Sequence, residues 1–289
     1  MQTCPAPPPF ETYSSLIELA LAEDIGPGDV TSERVIPASA RARARIEARE
    51  DLSVSGLFLL EAVIRAVDPD VRATLHAAEG DRVTAGQILA LLEGSVRSIL
   101  AAERTALNFL GRMCGVATLT RRYVRAVEHT GCQIVDTRKT LPGWRALDKF
   151  AVACGGGTNH RFALYDGILL KDNHIAAAGG VEPAVRAAIG HPGDTLRVQV
   201  EVESMEDAEK ACAAGVDFLL LDNQEPEDVK AIVARLGERA LLEASGGITL
   251  ENVAQYAETG VHRISLGALT HSAPAADVAL EIESSGPGG

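Results

Sequence analysis

At 289 residues and 30.4 kDa the chain is long enough for one large domain or two ordinary ones, and its 46% hydrophobic and 23% charged residues are those of a globular protein. The 27 Lys and Arg against 40 Asp and Glu give a formal net charge of −13, which argues against non-specific nucleic-acid binding and against an anionic membrane surface. A small anionic ligand stays compatible, because a local pocket can oppose the global sign.

The start, residues 1–9, is Pro-rich and lacks the basic and apolar regions of a signal peptide, and no apolar run approaches the ~20 residues of a membrane span. The five cysteines (Cys4, Cys114, Cys132, Cys154 and Cys212) form no Cys-x-x-Cys pair and have no His at zinc-ligand spacing. The expectation is no disulfide scaffold, no structural zinc and a soluble protein of the reducing cytoplasm.

Apolar spacing predicts a helix over 12–21, a turn cluster over 25–31 rich in Gly and Pro, and a strand within 40–54, where Ala and Arg alternate. A helix over 57–67 and two or three short strands over 71–92 follow, and together they predict an α+β domain of two layers over 1–110. Residues 96–127 read as helical, interrupted near the glycines at 111 and 115.

Beyond that point, over 111–273, the pattern becomes strand, polar end, helix, repeated. Apolar strands are predicted at 133–135, 167–170, 198–200, 217–221, 240–242 and 263–266. A helix fits 204–214, with Ser204 as its N-cap and Gly215 at its end. A last helix at about 274–284 is expected to pack back on the first domain, and the Gly/Pro/Ser tail from Ser284 to fray. Each strand runs into polar residues, the mark of the active face of a parallel α/β structure. No Gly-x-Gly-x-x-Gly follows the first strand, so a closed or nearly closed α/β barrel is favoured over a dinucleotide fold.

Three constellations carry chemistry. Glycines follow the last two strands, in Ser245-Gly246-Gly247 and in Leu266-Gly267-Ala268, where main-chain N–H groups can approach a phosphate. Between Arg138 and Lys171 lie Arg138, Lys139, Arg145, Lys149, Arg161 and Lys171 against Asp148 and Asp166, a surplus of four positive charges with His160 as a further donor. Arg145 and Lys149 are four apart and suit a solvated helix face. Arg138, Lys139 and Lys171 flank strands and suit an anion pocket, since Arg forks match carboxylates and Lys supplies a point charge. Glu201 and Asp222 end neighbouring strands, where paired carboxylates can hold Mg²⁺, bind a ribose diol or stabilise a developing cation. Gly80 to Gly86 echoes half of a biotinyl or lipoyl carrier domain, but no Lys precedes Lys139, so a carrier role fails.

Residues 136–143 (Asp-Thr-Arg-Lys-Thr-Leu-Pro-Gly), 155–161 (Gly-Gly-Gly-Thr-Asn-His-Arg) and 170–174 (Leu-Lys-Asp-Asn-His) resemble the signature of the quinolinate phosphoribosyltransferases. Glu23-Asp24, 28–31, 103–108, 200–203, 221–223 and 243–247 match further, in the family's order. The resemblance implies an N-terminal open-faced α/β sandwich, a C-terminal α/β barrel, and a homodimer or higher oligomer in which one subunit's sandwich caps the other's barrel. It implies transfer of phosphoribosyl from phosphoribosyl pyrophosphate (PRPP) to quinolinate with decarboxylation, giving nicotinate mononucleotide, pyrophosphate and CO₂ in NAD biosynthesis, with Mg²⁺ required. By position, Arg138, His160, Arg161 and Lys171 would receive quinolinate's carboxylates, with Arg104 reaching in from the partner subunit. Thr137 would join this substrate-binding set. Lys139, Glu201 and Asp222 would meet PRPP, the two carboxylates holding Mg²⁺ directly or through water, and residues 245–247 and 266–268 would hold the 5′-phosphate. Lys139, Lys171, Glu201 and Asp222 would be catalytic. Gln199 departs from the pattern, standing where many members carry an acid. Rival expectations are a relative that uses PRPP with another acceptor such as nicotinate, and a non-catalytic phosphate-binding regulator.

Overall fold

The structure is a computed structural model that describes residues 4–189 and 195–283; the tail expected to fray from Ser284 lies outside the described residues. The elements run α1 (Ser14–Asp24), α2 (Val30–Val35), β1 (Arg41–Ala48), β2 (Leu52–Ser53), α3 (Leu57–Val67), β3 (Arg72–Leu75), β4 (Arg82–Val83), β5 (Ile88–Ser95) and α4 (Val96–Val127). There follow β6 (Gln133–Val135), α5 (Arg145–Cys154), β7 (Ile168–Leu170), α6 (Asp172–Ala178), α7 (Val181–Ile189), β8 (Val198–Val202) and α8 (Met205–Ala213). The chain closes with β9 (Phe218–Asp222), α9 (Pro226–Leu236), β10 (Leu241–Ser245), α10 (Val253–Ala257), β11 (Arg263–Ser265), α11 (Ala268–His271) and β12 (Val278–Ile282). Two compact units result: one takes the chain up to Arg121, Thr140–Gly156 and the stretch from Leu269 onward, the other Arg122–Lys139 and Gly157–Ala268. Both are discontinuous in the chain.

The first unit holds an antiparallel sheet in the order β12-β1-β5-β3. The Ala/Arg alternation of β1 sends Ala44, Ile46 and Ala48 into the core, where Leu92 and Ala90 of β5 stand in register with Ala44 and Ile46. Burying a side chain the size of Ile46 or Leu92 stabilises by about 1.5–3 kcal/mol. The opposite face is charged. Arg43 pairs with Glu93 at 2.9 Å, Arg45 with Glu47 at 2.8 Å, and Arg49 with Glu281 of β12. α3 adds Leu59, Leu60 and Val63 to the core, all fully buried. Its first turn is held by the distant Glu79, whose carboxylate accepts from the Gly56 and Phe58 N–H groups at 2.8 and 3.4 Å.

Four expectations are corrected in this unit. α4 is one uninterrupted 32-residue helix. Its glycines make room rather than a break: a Cβ at Gly115 would lie 1.9 Å from the Pro274 carbonyl oxygen, and the Ala276 N–H donates to the Gly111 carbonyl at 2.8 Å. The segment expected as a helix at 274–284 does return to the first unit, but as strand β12, paired antiparallel to β1 from Ala44↔Ile282 to Ala48↔Val278. A short apolar run reads equally as helix or strand, and only the free edge of β1 decides it. Cys4 and Cys154 form a disulfide, which motif spacing does not register because 150 residues separate them. Lys149, expected on a solvated face, is buried. Beside it the fully buried Asp148 pairs with Arg112 at 2.9 Å and accepts from the Leu141 N–H at 3.3 Å.

The second unit is built on six parallel strands in the order β6-β11-β10-β9-β8-β7, which follows the chain round a barrel from β7 to β11 and back to β6. A single-residue parallel bridge from Thr158 to Val135 adds a further rung beside β6. One side of five of the six strands, all but β7, is apolar and buried, with Ile134, Val200, Val202, Leu219, Leu221, Leu242, Ala244 and Ile264. The helices bury matching stripes, Ala208 and Ala211 on α8 and Val229, Ile232 and Leu236 on α9. Ser204 caps α8, accepting from the Asp207 N–H at 3.1 Å, as the sequence predicts.

Candidate active site

Alternation along the strands makes the other face polar. Register places Gln199, Glu201, Phe218, Leu220, Glu243, Arg263, Ser245, Asp222 and Ser265 on that face, in tiers that climb toward the C-terminal strand ends.

The lower tier is a buried polar cluster. Glu243, fully buried, pairs with the Arg263 Nε at 2.7 Å, and the Arg263 guanidinium lies over the Phe218 ring, 4.0 Å from its centre. The His160 Nε2 stands 2.9 Å from the Gln199 Oε1 and 3.5 Å from Glu243. The Arg161 main-chain N–H donates to the His160 Nδ1 at 2.7 Å, and the His160 N–H donates to the buried Asp136 carboxylate at 2.8 Å.

The upper tier lies at the strand ends. Just after β7, the Lys171 ammonium meets the Glu201 carboxylate of β8 at 3.0 Å. Asp222 ends β9. Burial raises its pKa above the ordinary carboxylate value, and the charge of Glu201 adds to the shift, while Lys171 and Lys139 pull against it. That electrostatic coupling brings four of the expected residues, Lys139, Lys171, Glu201 and Asp222, to one place. Lys139 sits on a turn in which its N–H donates to the Thr137 Oγ at 3.0 Å.

Arg161 lies beside Arg138. Burial lowers its pKa, and the Arg138 charge lowers it further, against the pull of Asp166. Two guanidiniums held close enough to repel make a site that an anion would relieve. Arg161 is aimed by the Gly167 carbonyl, which accepts from its guanidinium at 2.8 Å. Asp166 shapes the intervening loop by accepting from the Phe162 and Ala163 N–H groups at 2.5 and 2.7 Å.

Beyond β10, Gly246 and Gly247 have φ of +91° and +62°, the left-handed region open to glycine. A Cβ at Gly246 would meet the Asn223 Oδ1 at 2.1 Å. Asn223 also takes a left-handed φ of +52°, donates from its amide to Asp222 at 2.7 Å, and donates its N–H to the Ser245 carbonyl at 2.8 Å. Asn252 braces the glycine loop, donating to the Gly247 carbonyl at 3.2 Å and accepting the Thr249 N–H at 2.7 Å. Leu266, Gly267 and Ala268 follow β11, with the Leu266 N–H on the Val135 carbonyl at 2.9 Å.

Of the expected site residues, all but Arg104 belong to the second unit; Arg104 lies on α4 in the first, its side chain largely exposed. Asp136, Asn223 and Glu243 lie within the matched motifs without a role of their own, and Asn252 and Arg263 lie outside them; all five are supports. For Asn223 a signal existed: Asn at a strand end is the residue that best tolerates a left-handed turn. Among the described residues no group of three or more His, Cys, Asp or Glu gathers as a metal site. Two carboxylates alone suit Mg²⁺, which keeps waters and substrate phosphates as its other ligands.

An anion pocket and a carboxylate pair at the C-terminal strand ends of a parallel barrel are the working face of an α/β-barrel enzyme. The model of the family's domain described as quinolinate phosphoribosyl transferase, C-terminal domain, matches residues 116–281, and that of the N-terminal domain matches 29–114. The chain belongs to the quinolinate phosphoribosyltransferase family. A probable nicotinate-nucleotide pyrophosphorylase [carboxylating] of Bacillus subtilis is 40% identical over 90% of this chain and 90% of its own length. A quinolinate phosphoribosyltransferase [decarboxylating] of Nicotiana glauca is 39% identical over 96% of this chain and 85% of its own. The structure of the nicotinate-nucleotide pyrophosphorylase from Francisella tularensis superposes with a TM-score of 0.92 at 36% identity, covering 96% of this chain and 98% of that one.

Proposed function

We propose that the chain is a pentosyltransferase that moves phosphoribosyl from PRPP to quinolinate and decarboxylates the product, giving nicotinate mononucleotide, pyrophosphate and CO₂ for NAD biosynthesis. The observation that carries this reading is the division of charge at the strand ends. Arg138 and Arg161 crowd together, and Glu201 and Asp222 form a carboxylate pair that the Lys171 ammonium borders. A dicarboxylate fits the first, and a ribosyl cation with a departing pyrophosphate fits the second.

Arg138, Arg161 and Lys171 receive the carboxylates of quinolinate, and the glycine turns at 245–247 and 266–268 receive the 5′-phosphate. Glu201 and Asp222 stabilise the oxocarbenium-like ribose as the C1′–pyrophosphate bond breaks, the role carboxylates play in glycoside cleavage. The quinolinate ring nitrogen then bonds to C1′, and the pyridinium so formed accepts the electron pair left by CO₂. Lys139 or Lys171 supplies the proton to the ring carbon. The mutual repulsion of Glu201 and Asp222 fits a divalent cation, and Mg²⁺ held by them would offset the charge of the leaving pyrophosphate.

The same reading takes the protein to be a cytoplasmic homodimer, with Arg104 donated across the subunit interface. No helix among the described residues is long and apolar enough to cross a membrane.

Purified protein given PRPP, Mg²⁺ and either quinolinate or nicotinate decides the matter. Release of nicotinate mononucleotide and CO₂ from quinolinate is expected, with nicotinate a poor acceptor. Product from nicotinate alone, or binding of PRPP without turnover, overturns it.

A further inference from the structure

Cys4 and Cys154 are the one place among the described residues where two cysteine sulfurs meet, and the two ends of the bridge differ. Cys154 is the last residue of α5 and only 3% exposed, whereas Cys4 is half-buried and belongs to a segment with little else to hold it. Residues 5–9 are Pro-Ala-Pro-Pro-Pro, and a proline has no N–H to donate. Among the described residues, 4–8 make no hydrogen bond to the rest of the first unit, and 5–7 are exposed.

The next hold lies at Tyr13. Its ring is buried and meets Phe10 and Phe58 of α3 edge-on, with ring centres 5.4 and 5.3 Å apart. Phe58 in turn meets Phe150, one turn before Cys154 on α5, at 5.2 Å. The segment is therefore a strap fixed at two points, an aromatic one at Tyr13 and a covalent one at Cys4. The bridge rests on the turn at Gly80, where a Cβ would lie 3.2 Å from the Cys4 Cβ and 3.7 Å from the Cys154 carbonyl oxygen. The remaining thiols are poor rivals for exchange at neutral pH. Burial pushes those of Cys114 and Cys132 up to about 12 and raises that of Cys212.

We propose that Cys4–Cys154 is a thiol-exchange site, entered at the Cys4 sulfur by a low-molecular-weight thiol, and that its reduction releases the strap while the Tyr13 anchor stays. The incoming thiolate bonds to the Cys4 sulfur. The Cys4–Cys154 bond breaks with its electron pair on the Cys154 sulfur, which takes up a proton. A second thiolate attacks the added sulfur, so that Cys4 leaves as a thiolate, takes up a proton, and the two small thiols depart joined as their disulfide. One disulfide is reduced for each one formed. Burial closes the Cys154 sulfur to the first attack. A cytoplasm supplies such thiols, and disulfides found there are usually transient and redox-sensing. That setting rests on the proposed function; the exchange itself does not.

Glutathione is the probe, applied to the full chain. After brief exposure and an acid quench, peptide mapping should find glutathione on Cys4 and a free thiol at Cys154. A disulfide-free protease that cuts after aromatic residues should then cleave after Phe10, which is 55% exposed, about tenfold faster in the reduced protein than in the oxidised one, because one anchor opens more readily than two. Cleavage within the second unit should keep its rate. Cys4→Ser should be cleaved after Phe10 at the fast rate with or without reductant. A bridge that glutathione leaves intact, or glutathione on Cys154 with Cys4 free, overturns the proposal. So does cleavage after Phe10 at one rate in both redox states, or an equal rise at every site, which marks general unfolding. A Cys4→Ser variant that still responds to reductant overturns it as well. No arm uses turnover, so failure of the quinolinate reading would leave this test standing.

Discussion

Arg161 and Arg138 are the pair in which sequence and geometry meet most directly, since burial and the neighbouring charge of Arg138 leave Arg161 ready for an anion. On the proposed function, replacing either with Ala removes a charge-assisted bond to a carboxylate, which costs about 1.5–3 kcal/mol and so should raise the quinolinate KM roughly tenfold to a hundredfold. Steady-state kinetics checks this, and an unchanged KM in both variants would remove them from the pocket. Asn223 is the residue-scale counterpart on the acidic side. Asn223→Gly loses the hydrogen bond that the side-chain amide donates to Asp222 but keeps the left-handed turn at φ +52°. Asn223→Ala loses the bond and also strains the turn, so it should be less stable than the Gly variant by about 1 kcal/mol. Equal melting temperatures would show that the turn carries no strain. The charged site residues were legible because Arg, Lys and paired acids at strand ends have few structural uses. Gln199, Glu243 and Arg263 were not legible as a cluster, since three different strands bring them together around His160.

At the scale of elements, the alternation of β1, the cap of α8 and the six barrel strands were readable because each depends on near neighbours in the chain. α4 and β12 were misread for one shared reason. The glycines at 111 and 115 look like helix breakers in isolation, yet they serve the close passage of residues 274–276. Gly115→Ala therefore has an inverted sign: in an exposed helix interior Ala is favoured by up to about 1 kcal/mol. Here a Cβ would fall 1.9 Å from the Pro274 carbonyl oxygen, and such overpacking destabilises by about 1–3 kcal/mol or more. Chemical denaturation of the variant gives the sign directly, and a stabilised Gly115→Ala would refute the contact.

For the whole molecule, the net charge of −13 described the surface and not the site. The basic window divides between the two units: Arg138, Lys139, Arg161 and Lys171 belong to the second, while Arg145 and the buried Lys149 belong to the first. The Cys4–Cys154 disulfide joins two cysteines of the first unit that lie 150 residues apart in the chain. A cross-link over such a span stabilises by about 4–5 kcal/mol in the chain-entropy model. Cys4→Ser should lower stability by that order without reductant and match the unsubstituted protein when both are measured with it. Burial pushes the thiols of Cys114 and Cys132 up to about 12, so a thiol reagent at neutral pH should find new reactivity on reduction mainly at Cys4 and Cys154. Peptide mapping that shows no linked pair would overturn the assignment.

By itself the sequence determined the family, the barrel's strand ends and the charged residues of the candidate site, because local periodicity and ordered short motifs are written within stretches of a few residues. The tertiary structure decided the disulfide, the strand identity of β12, the continuity of α4 and the buried support beneath His160. Each of these depends on groups far apart in the chain, and their pairing follows from burial and from the hydrogen bonds that burial demands.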